Sequence, residues 1–146
     1  MLKNIRHTGI VVKDLEDSLK FYQDLLGFQT VKRMEESGEY LEKVLGIKDV
    51  AVTTVKMSLP DKKQKIELIE YHTPPPGARS MAINDAGPTH ISLTVNNIES
   101  EYTRLSEAGI EFLSRPQTSP DGYAKVAFCR APEGTFIEIV EEMSQS

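Results

Sequence analysis

Apolar and polar positions alternate most cleanly in Pro88 to Val95, PTHISLTV. The pattern predicts a strand with Ile91, Leu93 and Val95 on one face and His90, Ser92 and Thr94 on the other. The first face wants a core; the second, a histidine among small polar side chains, suits the lining of a cavity. RHTGIVV near the start is a close copy, with His7, Gly9 and Val11 on one face and Thr8, Ile10 and Val12 on the other. Asp14-Leu15 recurs as Asn97-Ile98 at the same offset of 83 residues (90 − 7 and 97 − 14), and Gly27-Phe28 recurs as Gly109-Ile110 at 82. The chain reads as one unit written twice.

In the first unit, Asp14 and Asp17 mark a helix start. Leu15, Leu19, Tyr22 and Leu26, with Ser18 and Leu25 alongside, form its apolar stripe, and Gly27 stops it. Strands follow over Phe28–Met34, Val50–Leu59 and Lys65–Tyr71, with a short helix carrying Tyr40, Leu41, Val44 and Leu45 inside the connection from Glu35 to Gly46. In the second unit, Asn97 caps a helix whose stripe is Ile98, Tyr102, Leu105 and Ala108. Strands are predicted at Glu111–Ser114, Tyr123–Arg130 and Thr135–Glu141, with Pro116–Gly122 a turn-rich loop. Each unit has the order β-α-β-β-β. Between them runs a connection of 16 residues, His72 to Gly87 (87 − 72 + 1), stiffened by Pro74-Pro75-Pro76. The boundaries are thus 1–71, 72–87 and 88–146, within a single domain.

Composition narrows the class. A chain of 146 residues, 39% hydrophobic and 27% charged, is one domain by size with a substantial core. A net charge of −5 argues against nucleic-acid and acidic-membrane partners. One cysteine, Cys129, fits a reducing compartment and reads as a core thiol rather than a nucleophile. No apolar run approaches the roughly 18–20 residues of a membrane span, and MLKNIRHTG lacks an apolar signal core. A cytoplasmic protein is expected.

The chemistry lies where strand patterns are broken. The last strands of the two units are near copies, IELIE at 66–70 and IEIVE at 137–141, at an offset of 71 (138 − 67). Glu67 and Glu138 each sit inside an apolar strand, where an unpaired carboxylate is expensive. Glu70 and Glu141, at the strand ends, read as solvated. Each half therefore offers one histidine and one glutamate, and if a pseudo-twofold axis relates the halves the pairs converge. Two imidazoles and two carboxylates suit one divalent ion of Zn, Ni, Co, Mn or Fe.

The stretches IRHTGIVVKDLEDSLKFYQDLLGF, KIELIEY, THISLTVNNIE and APEGTFIEIVE resemble the vicinal oxygen chelate superfamily, which includes glyoxalase I, methylmalonyl-CoA epimerase, extradiol dioxygenases and fosfomycin-resistance proteins. The resemblance covers most of both units. It implies an α+β fold of two βαβββ modules forming an open, U-shaped mixed sheet around a metal, with ligands at His7, Glu67, His90 and Glu138. It also implies a small-molecule substrate with vicinal oxygens and a homodimer, for which open sheet edges leave room. Whether the ligands of one site come from one chain or two stays open.

Extradiol dioxygenases resemble a facial triad that leaves the position of Glu67 without a ligand, so the presence of Glu67 favours the glyoxalase and epimerase branches. Their shared chemistry is proton abstraction beside a metal-chelated carbonyl, with Glu138, or Glu67, the base by resemblance to glyoxalase I. Methylmalonyl-CoA epimerases use a further glutamate where this chain has Val44-Leu45-Gly46, with Glu42 out of register. The expected function is a metal-dependent lyase or isomerase; an extradiol-type dioxygenase and a ligand-sequestering protein of the bleomycin-resistance type are the alternatives. Arg33, Arg79, Arg115 and Arg130 are open as anion contacts or surface charges. Tyr71, Met57 and Phe128 are open between cavity lining and core. His72 reads as a loop residue.

Overall fold

The computed structural model describes residues 1, 3–77 and 82–143. The chain divides into two compact units, Met1–Ala78 and Arg79–Ser146. Each is a four-stranded mixed sheet with helix beside it, an α+β arrangement with neither sheet closed into a barrel.

In the first unit, β1 (Thr8–Val12), β2 (Gln29–Ser37), β3 (Ala51–Ser58) and β4 (Lys65–Thr73) lie in the order β1-β4-β3-β2. The first and last strands run parallel and the other pairs antiparallel. Ile10, Val12, Ile66, Leu68, Val55 and Met57 are buried together on one face, as the alternation requires. The helix α1 (Leu15–Leu19) starts at Asp14, whose carboxylate accepts from Asp17 N at 3.0 Å. It continues as a π-helical segment over Lys20–Leu25, where Leu26 N donates to Phe21 O at 3.1 Å. That wider turn re-aims the stripe. Phe21 and Tyr22 are fully buried, whereas Leu19, Leu25 and Leu26 are only half-buried. The Tyr22 ring meets Phe21 and Phe28 edge-on, at 5.1 and 6.0 Å between centroids, and burying each such side chain stabilises by about 1.5–3 kcal/mol. The helix α2 (Glu39–Leu45) ends at Gly46 in the left-handed region, φ 68°. It buries none of its side chains.

In the second unit, β5 (His90–Thr94), β6 (Gln117–Thr118), β7 (Ala124–Arg130) and β8 (Phe136–Glu142) lie in the order β5-β8-β7-β6, again with the first and last strands parallel. The helix α3 (Ile98–Glu107) is capped by Asn97, which accepts from Ser100 N at 2.9 Å. It buries Ile98 and Leu105 near Cys129, Ile137 and Ile139 of the sheet; Ala108 stays exposed.

Three expectations need correction. Glu111–Ser114 is not a strand. Phe112 forms one bridge to Cys129, and the short edge strand lies instead at Gln117–Thr118, inside the stretch read as a loop. Pro116 has no N–H for the ladder, so pairing resumes only after it. His72 belongs to β4 rather than to a loop, since the strand runs two residues past Tyr71. Glu70 and Glu141 are not merely solvated: Glu70 accepts from Leu15 N at 3.4 Å and Glu141 from Ile98 N at 2.8 Å. In the connection, residues 78–81, which include Arg79, lie outside the described ones.

Candidate functional site

The parallel pairing of first and last strands builds the same arrangement in each unit. Gly9 stands opposite Glu67, and Ser92 opposite Glu138. Each small residue leaves room beside the carboxylate, and the histidine two positions earlier projects from the same face. His7 Nε2 lies 3.8 Å from Glu67 Oε2, and His90 Nε2 lies 3.6 Å from Glu138 Oε2. His7 sits just ahead of β1 rather than within it. Within neither unit do the described residues gather three or more metal-ligating side chains, so each unit presents a pair.

The pairs suit a shared cation better than each other. Both separations exceed hydrogen-bond length. Neighbouring ligand atoms on a first-row ion bound at about 2.0–2.2 Å are about 3–3.5 Å apart, so small adjustments would let one ion touch both donors of a pair. The carboxylates are largely covered, at 14% and 20% side-chain exposure for Glu67 and Glu138, and neither accepts a hydrogen bond among the described residues. Such a carboxylate demands a positive partner. The imidazoles are more open, at 30% and 42%.

The pairs differ in their third neighbour. Across from Glu67 on β3 is Lys56, whose Nζ lies 3.7 Å from Glu67 Oε2. Across from Glu138 on β7 is Phe128, whose ring meets His90 edge-on at 5.4 Å. Phe128 thus lines the candidate site, while Met57 is core on the opposite face. Lys56 went unnoticed in the sequence, although a lysine inside VAVTTVKMSL is a visible break in an apolar strand.

Other polar groups fall elsewhere. His72 Nε2 is 2.7 Å from Thr53 Oγ1, which donates to Glu35 at 2.6 Å; strand alternation puts this cluster on the helix side, away from Glu67. Arg33 pairs with Glu16 at 3.1 Å, and Arg130 stacks over Phe136 at 4.3 Å. Arg115 is exposed. Burial pushes the Cys129 thiol up from 9.0 to about 11, which makes it inert at neutral pH. No helix among the described residues is long and apolar enough to cross a membrane.

The profile of the Glyoxalase/Bleomycin resistance protein/Dioxygenase superfamily matches residues 4–139. The protein YwbC of Bacillus subtilis is 29% identical over 143 residues, 97% of this chain and 99% of its own. A probable lactoylglutathione lyase of Synechocystis is 28% identical over 140 residues, 95% of each chain. The crystal structure of a glyoxalase family protein from Bacillus cereus superposes with a TM-score of 0.89 at 26% identity, covering 99% of this chain and 97% of that one.

Proposed function

The chain belongs to the Glyoxalase/Bleomycin resistance protein/Dioxygenase superfamily, and from that premise we propose that it is a metal-dependent lyase or isomerase moving a proton beside a carbonyl. One observation carries the reading: the same His–Glu pair, with a covered carboxylate accepting no hydrogen bond, recurs at the same ladder position in each unit. The kinship with a probable lactoylglutathione lyase supports the reaction class.

In this reading His7, Glu67, His90 and Glu138 hold one divalent ion, the two pairs coming from one chain or from two chains of a homodimer. The ion would supply Lewis acidity to the vicinal oxygens of a small substrate. Glu67, with the Lys56 ammonium at 3.7 Å, has the holding role. Glu138 has Phe128 across the strand rather than a cation. A carboxylate that must take up a proton and return it works best without a fixed cation beside it, so Glu138 is assigned the base. The Phe128 ring packs edge-on against the His90 imidazole on that side.

The test is solvent deuterium incorporation next to the carbonyl, in hemithioacetals of 2-oxoaldehydes and in α-hydroxyacyl thioesters, by protein loaded in turn with Zn²⁺, Ni²⁺, Co²⁺, Mn²⁺ and Fe²⁺. Incorporation that depends on metal is the expected result. Its absence with every metal, together with oxygen uptake on catechols, would replace the proposal with a dioxygenase.

A further inference from the structure

We propose that Lys56 determines specificity by receiving a carboxylate carried by the substrate; this rests on the metal-dependent reading above and names the substrate class for it. Lys56 interrupts a strand whose flanking residues, Val55 and Met57, are 1% and 0% exposed. Its own side chain is 30% exposed, and its ammonium makes no hydrogen bond to a described residue. The 3.7 Å approach to Glu67 is its one ion pair there. The second unit has Phe128, not a cation, at the matching ladder position.

A second observation points the same way. Lys32 on β2 stands directly across from Lys56 in the register, on the same face, and is exposed. Like charges placed opposite each other across strands destabilise a sheet. A row of Lys32, Lys56 and Glu67 therefore carries one more positive charge than negative. Without metal, Glu67 offsets one of the two positive charges. An ion held by Glu67 would take over the charge of its carboxylate and leave the Lys56 ammonium, 3.7 Å from that carboxylate, close to a further positive centre. An anion lying against both lysine and metal relieves the repulsion, and a neutral ligand does not. Lysine suits the task as a mobile point charge. The ligand class is a small 2-oxo or 2-hydroxy carboxylate, in which the charged group and its neighbouring oxygen are themselves vicinal.

Calorimetric titration of the full chain with Mn²⁺, and then of the Mn²⁺-loaded protein with pyruvate and with neutral hydroxyacetone, reads both halves of the argument. Lys56→Met should bind Mn²⁺ more tightly, on the order of tenfold, because a repulsion is gone. It should lose on the order of tenfold in pyruvate affinity while hydroxyacetone is unchanged. Lys56→Arg, which keeps the charge, should retain the preference for pyruvate and guards against a folding defect in the methionine variant. Metal uptake with the same pyruvate-to-hydroxyacetone ratio in wild type and Lys56→Met would overturn the role of Lys56 alone. Failure of the wild type to take up Mn²⁺, Zn²⁺ or Ni²⁺ would overturn the metal reading and this inference with it.

Discussion

Glu67 and Glu138 are near-equivalents in sequence, and what separates them is the residue across the strand: a lysine in one case, a phenylalanine in the other. If Glu138 carries the proton, Glu138→Gln keeps its shape and an amide oxygen for the metal but cannot accept a proton. Metal-saturated Glu138→Gln should then lose about 10²–10⁴-fold in turnover, the usual effect of losing a general base. Glu67→Gln should cost less. Deuterium exchange at wild-type rate in metal-loaded Glu138→Gln would remove Glu138 from the base role. The two His–Glu pairs of the candidate site stood out in the sequence because each glutamate interrupts an apolar strand and each histidine recurs at the matching place in the repeat. Lys56 breaks its strand just as visibly, but with no counterpart in the second unit the repeat could not point to it. Cys129 gives a second residue-level prediction. Its thiol titrates near 9.0 when unfolded and at about 11 when folded, so above pH 9 the unfolded state has lost a proton that the folded state keeps. Stability from this group is therefore complete below pH 9 and lost as pH rises toward 11. Measured by urea unfolding, the advantage of wild type over Cys129→Ala should shrink by about 2 kcal/mol between pH 8.5 and 10.5. An advantage that stays constant would show that burial does not hold the proton.

The starts of α1 and α3 are each closed by two carboxylate or amide groups rather than one. Asp14 and Asn97 accept from the third helical N–H, and Glu70 and Glu141, reaching from the last strand, accept from the first. The strand glutamates thereby fix the helix to the sheet, and negative charge at a helix N-terminus is favourable. Glu141→Ala should destabilise the second unit by about 1 kcal/mol, lowering its Tm by about 5 °C. Glu70→Ala, which removes a longer contact of 3.4 Å against 2.8 Å, should cost less. Calorimetry of the two variants checks the order, and equal or absent losses would reduce these glutamates to surface charges. The N-caps were readable from Asp14 and Asn97 because capping is local in sequence. Their strand partners were not, because 55 and 43 residues separate the bonded groups. The π turn escaped for a related reason: a regular 3.6-residue period places Leu26 in the stripe, and only the wider turn brings Phe21 inward. Pro116, by contrast, was in plain view and argued against Glu111–Ser114 as a paired strand.

At the scale of the molecule, two compact units each present one imidazole and one carboxylate, which admits two stoichiometries. A single four-donor site binds one ion per chain, and losing either histidine weakens the whole of it. Two independent pairs bind two ions per chain, weakly, and each histidine variant loses one. Two-donor sites on largely covered strands hold a first-row ion poorly, because four ligands is the usual minimum for such ions in proteins. One ion per chain is the expected result, by elemental analysis of tag-free protein. His7→Ala and His90→Ala should each abolish most of the uptake, although their residues lie in separate units. Saturating metal at 100 times Kd should also stabilise the folded protein by about 2.7 kcal/mol. If the chain is a dimer, as sedimentation at micromolar concentration should show, mixing these two variants tells where the pairs meet. Were each site built within one chain, every site in the mixed dimer would lack one histidine and metal binding would stay lost. Were each site shared, the mixed dimer would contain one site with both histidines and one with neither, so refolding the variants together would restore metal to a fraction of the sites. Two ions per chain in the wild type, with one surviving in each variant, would dissolve the four-donor site altogether.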